Sequence, residues 1–231
     1  MPARDDRHRV SLHDGDWSNG DRRAMIPLWF KLSWLAFLAV LVPVYLQEYG
    51  PLNFLWLSSI ALVAGCAAAW LENRRLASML LVAVLLPELV WVLDLVLSLL
   101  LLGNPVIGAV HYMYNTDIPL HVRLLSLYHL PLPFALLWMV WRLGYDAQAW
   151  KWWLPIGWGV LLASYAVAEE AGNLNWVLGP HGQPQEWVAP ELWLAFVVLF
   201  CTVMWWLTHR LVRWLHRRTR ETGGPGQGPG S

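Results

Sequence analysis

The 231 residues carry 16 basic and 16 acidic side chains, so formal net charge is zero, and 57% of residues are hydrophobic against 14% charged. A soluble domain averages about 25% charged residues, so these totals exclude an ordinary water-soluble globule. Zero net charge gives no argument for a nucleic-acid partner, and two cysteines inside apolar runs, Cys66 and Cys201, read as small buried apolar side chains rather than a disulfide framework.

Residues 1–24 are rich in Arg, Asp, His and Gly and lack apolar periodicity, which predicts a disordered cytoplasmic tail. The apolar run that follows is long enough to span, so no cleavable signal peptide is expected. Six apolar segments then fall at about 26–47, 53–72, 76–102, 120–142, 150–171 and 188–210. Each is near or above the ~20 residues that a helix needs to cross the hydrocarbon core. None alternates like a barrel strand, and a span must satisfy its own backbone. The expected fold is all-α, a polytopic membrane protein with a bundle of six transmembrane helices over residues 25–216. A second disordered, Gly/Pro-rich cytoplasmic tail is expected over 217–231.

Orientation follows from the basic residues. With six spans, 15 of the 16 Lys and Arg residues fall on one side, and Arg123 alone falls on the other. Basic residues favour the cytoplasmic side. Both termini are therefore expected inside, with loops 48–52, 103–119 and 172–187 outside. Aromatic residues crowd the span ends, Trp34, Tyr45, Trp153, Trp205 and Trp206 among them, and read as an interfacial belt. The RLGYD run at 142–146 reads as a helix C-cap at Gly144. QEYGPLNF (47–54) and EEAGNLNW (169–176) share Glu, Gly, Leu and Asn at matching positions, a weak internal echo.

Ionisable groups within spans are functional candidates by default. Glu88 lies about 18 Å along the third span and His129 about 14 Å along the fourth, so both approach the midplane of a core about 30 Å thick. Asp94, Glu169 and Glu170 form a layer nearer the external side. The five are candidate catalytic residues in two storeys of one outward-opening site, the carboxylates as acid/base groups and His129 with Glu88 as a proton relay. Pro87, Pro131 and Pro133 flank the lower pair, and proline frees helix carbonyls of the kind found around cavities. Arg123, Asn173, Asn175, His121 and Asp117 are candidate ligand-binding residues. A structural ion pair is the first reading for Arg123; recognition of a lipid phosphate is the second. No HExxH, Cys pair or His-x-His is present, so no metal site is assigned and the cofactor stays unknown.

NFLW (53–56), RLLSLYHLPLPFALLW (123–138), RLGYD (142–146) and NLNWVLGP (173–180) together resemble a group of uncharacterised bacterial multi-pass inner-membrane proteins. The resemblance covers most of the membrane domain and implies the inner (plasma) membrane; it implies no activity or ligand. The alkaline ceramidase superfamily, with seven helices and several His around zinc, does not fit six spans without a paired-His helix. Membrane lipids are the expected partners, with a lipid or small-molecule ligand from the external side. Three function classes follow: an enzyme acting on a lipid or lipid-like substrate, a small-solute or proton-coupled transporter, and a non-catalytic assembly subunit.

Overall fold

The computed structural model describes residues 25–168 and 172–222; both ends of the chain and Glu169–Ala171 lie outside the described residues. The described residues are helical, without strands. Helix α1 covers Leu28–Tyr49, α2 Leu57–Trp70 and α3 Arg74–Leu100. A short α4, Leu120–Leu125, continues through a 3-10 turn at Ser126–His129 into α5, Pro131–Leu143. Helix α6 covers Ala149–Ala166 and α7 Pro190–Thr222. The last helix thus runs six residues past the expected start of the C-terminal tail.

Four segments are long and apolar enough to cross a membrane: Leu28–Tyr49, Arg74–Leu100, Leu120–Leu143 and Pro190–His216. The other two expected spans are shorter than the sequence suggests. Helix α2 has 14 residues, because Pro51–Leu55 forms a 3-10 turn and Trp56 takes an extended ψ of 131°. Helix α6 has 18 residues, including four Trp and Lys151, and ends at Val167 rather than near residue 171.

Helix α3 is the axis of the molecule, packed against α2, α5, α6 and α7. Six consecutive residues, Leu80 to Leu85, are each at most 5% exposed. A helix that is apolar all round belongs inside. The outer helices instead leave large apolar side chains uncovered, such as Leu35 and Val40 on α1 and Phe196, Leu199 and Phe200 on α7. In water such a surface drives association; in lipid it is the expected exterior.

Close helix contacts depend on glycine. A Cβ at Gly65 would stand 2.7 Å from the Trp34 ring, and one at Gly157 would collide with the Trp205 ring. Both indoles donate to helix backbone, Trp34 Nε1 to Leu62 O at 3.0 Å and Trp205 Nε1 to Ala83 O at 3.1 Å. The second bond has a clear cause. Pro87 has no N–H, so the carbonyl four residues back, Ala83 O, loses its helical donor. Trp205, fully buried, supplies one from α7. The belt reading is corrected for Trp34, Tyr45, Trp153 and Trp205, all at most 8% exposed. The carbonyl freed by Pro87 meets packed protein, not a cavity.

The internal echo is also structural. Gly50 and Gly172 both take positive φ, 76° and 75°. Each precedes a 3-10 turn, Pro51–Leu55 and Leu174–Trp176, and the two turns pack together.

Candidate functional site

Glu88 and His129 meet. His129 Nδ1 lies 2.7 Å from Glu88 Oε2. Glu88 follows Pro87 inside α3, and the 3-10 turn before Pro131 carries His129. The imidazole is stacked between Trp91 and Tyr128, with ring centroids 4.7 and 4.2 Å away and planes tilted by 24° in each case. Trp91 comes three residues after Glu88, so both leave α3 from the same face. Glu88 is 3% exposed, whereas 13% of the His129 side chain is exposed. Among the described residues, Nε2 of His129 has no hydrogen-bond partner and is not sealed. Tyr45 and Ser126 hydroxyls, 2.7 Å apart, lie beside this pair, together with Tyr112. Burial pushes the Tyr112 phenol above its ordinary value, against the opposing effect of Ser126. The Trp91 indole N–H is buried without an acceptor.

Asp94 does not join this pair in an outward-opening site. It is fully buried and accepts from three backbone N–H groups, Val106 at 2.9 Å, Ile107 at 2.7 Å and Val110 at 3.1 Å. Asp94 therefore fastens the loop after α3 onto the helix that carries it. Glu169 and Glu170 lie outside the described residues.

Arg123 forms no ion pair among the described residues. Its Nη1 donates to Met113 O at 3.0 Å, and its Nε is buried without an acceptor. Asp117 and His121 are exposed at the same end of the molecule. Asn173 braces its own loop: its amide donates to Gly179 O and Gln183 O and its carbonyl accepts from Leu178 N. Asn175 joins the two echo turns. Its carbonyl accepts from Leu57 N at 3.0 Å, and its amide donates to Leu55 O and Ser164 Oγ, each at 2.9 Å. Among the described residues no three His, Cys, Asp or Glu side chains gather as metal ligands.

A second polar layer lies at the opposite, basic end, where the sequence analysis assigned no candidate residue. Ser78, Asp146, Thr208 and His209 are all buried there. Arg75 Nε donates to Asp146 Oδ2 at 3.1 Å, Asp146 N donates to Ser78 Oγ, and Tyr145 OH lies 2.7 Å from His209 Nδ1. Lys31 pairs with Glu72 at 2.7 Å. Gly144, at φ 88°, ends α5 as expected and turns Tyr145 and Asp146 inward. The signal was present in RLGYD and the short Arg74-Arg75 connection, two opposite charges assigned to the same end. Their burial depends on how α3 and α7 pack, which spacing does not give.

Comparison with family models, curated proteins and solved structures found no match.

Proposed function

We propose that this chain crosses the membrane six times with both termini cytoplasmic, and that it serves as a non-catalytic membrane partner or assembly subunit. The six-span reading adds α2 and α6 to the four membrane-length helices. Its support is connectivity. Contacts among Lys31, Glu72, Arg75, Asp146 and His209's partner Tyr145 gather one set of helix ends. Asn175, bonded to Leu55, Leu57 and Ser164, gathers the other. The orientation rests on the 15-to-1 distribution of basic residues.

The functional reading rests on one observation: each buried carboxylate among the described residues has a structural partner. Glu88 has His129, Asp94 has three backbone N–H groups, and Asp146 has Arg75. A catalytic or coupling carboxylate needs a face free for substrate or ion. The packed run Leu80–Leu85 also separates the two polar layers, which argues against a transport route along α3.

A second reading has its own support. Glu88 holds Nδ1 of His129 and leaves Nε2 unpartnered, the arrangement of an oriented general base. A lipid or lipid-like substrate would then react at His129. Glu88→Gln and His129→Ala test the two readings in cells and in purified protein. The partner reading predicts lower unfolding temperatures with an unchanged cellular lipid profile. A changed lipid profile in His129→Ala protein of normal thermal stability would replace it with the enzyme reading.

A further inference from the structure

We infer that the cleft between α1 and the α4–α5 segment holds one membrane phospholipid, with its phosphate at Arg123 and one acyl chain along the cleft. The inference stands apart from both readings above, because a bound lipid is compatible with a partner subunit and with an enzyme. The cleft has a volume of about 380 Å³ and an almost wholly apolar lining that includes Trp34, Phe37, Leu62, Leu124, Tyr128 and Ala135. From Leu124 to Ala135 it follows the helical path for about 17 Å. One leaflet contributes about 15 Å of hydrocarbon, half of a core about 30 Å thick. The cleft therefore matches one acyl chain in length as well as in chemistry.

Charge supports the same occupant. Arg123 adjoins Leu124 at the loop end of the cleft and stands one helical turn from Leu127, which also lines it. Its guanidinium donates to one acceptor, the Met113 carbonyl, through Nη1, and the side chain is only half-buried, so the fork keeps donors open to a ligand although its Nε is shut in. Neither Asp117 nor His121 pairs with it among the described residues. A cation in the first turn of a spanning segment sits at headgroup level. A phosphodiester there would offer acceptors to a planar fork suited to them. A free phosphate would satisfy Arg123 but would leave the cleft to other lipid, so the joined features point to a phospholipid.

The test is native mass spectrometry of the full chain in detergent, with dioleoyl phosphatidylglycerol as the probe and dioleoylglycerol, which lacks the phosphate, as the control. One phosphatidylglycerol per chain should survive, and dioleoylglycerol should not. Arg123→Gln should lower retention about ten-fold, the scale of losing hydrogen bonds to a charged group. Arg123→Lys should retain an intermediate amount. Ala135→Trp fills the cleft, leaves Arg123 in place and should also lower retention, so the test remains decisive if Arg123→Gln fails to fold. Equal retention of dioleoylglycerol, wild-type retention by both Arg123→Gln and Ala135→Trp, or displacement of the lipid by millimolar inorganic phosphate would each overturn the inference.

Discussion

Asp146 is a carboxylate whose surroundings decide its charge. Partial burial works against ionisation, but the Gln148 backbone N–H and the guanidinium groups of Arg75 and Arg74 outweigh it and hold the carboxyl below its ordinary value of 3.8. A depressed folded-state pKa contributes stability that is complete above the unfolded value and fades as pH falls through the folded one. Asp146→Asn should therefore lower the unfolding temperature at neutral pH. It should also flatten the acid limb of the stability–pH curve below about pH 4. Parallel acid limbs in the two proteins would contradict the assignment. Asp94 shows where residue-level reading of the sequence stops. Its depth along α3 was legible, but its partners are three loop N–H groups, and nothing in the spacing of side chains says where loop backbone points. Glu88 was legible because it sits within regular α3, and His129 because the 3-10 turn that carries it is only four residues long and changes its depth by about 2 Å. Their meeting at 2.7 Å agrees with that estimate. The unpaired state of Arg123 was not legible, since it follows from the path of the Met113 loop.

At the scale of elements, the informative feature is the repair of α3 by α7. Pro87 leaves Ala83 O without a helical donor, and the Trp205 indole replaces it. Trp205→Phe should destabilise by about 1–3 kcal/mol, the cost of a buried unsatisfied polar group, beyond any packing change. Pro87→Ala restores the helical N–H, so the same Trp205→Phe change should cost about 1 kcal/mol less in that background. Denaturant unfolding of the four proteins gives the coupling directly, and additive effects would mean that the indole bond does not compensate for the proline. The sequence revealed the proline and its orphan carbonyl. It concealed the donor, because a tryptophan near a span end reads as an interfacial residue until the facing Gly157 is known to admit its ring. The proline pair after His129 was visible in the same way, but its effect, a 3-10 turn between α4 and α5, was not.

For the whole molecule, the described chain is all helical with four segments of membrane-spanning length, and this much was plain from composition and run length. The count of six crossings and their direction require a topology measurement. Single cysteines at exposed Gln148 and Asn104, in a protein with Cys66 and Cys201 replaced by alanine, place one thiol at each end of the bundle. An impermeant thiol reagent should label the residue-104 site in intact cells and the residue-148 site only after permeabilisation. Labelling of both from one side would rule out the alternating path.

Asn175 also imposes an order in time. Its bonds to Leu57 N and Leu55 O bridge 118 and 120 positions, and the Trp205 bond to Ala83 O bridges 122. At about 5–20 residues per second of synthesis, the donor or acceptor arrives about 6–24 seconds after the group that needs it. With the proposed six crossings, the first half of the nascent protein would wait in the bilayer with open backbone groups at the α1–α2 turn and beside Pro87. Until the last third is made, a chaperone or the insertion machinery has an incomplete hairpin to hold, so a chain released before Trp205 should be a substrate for membrane quality control.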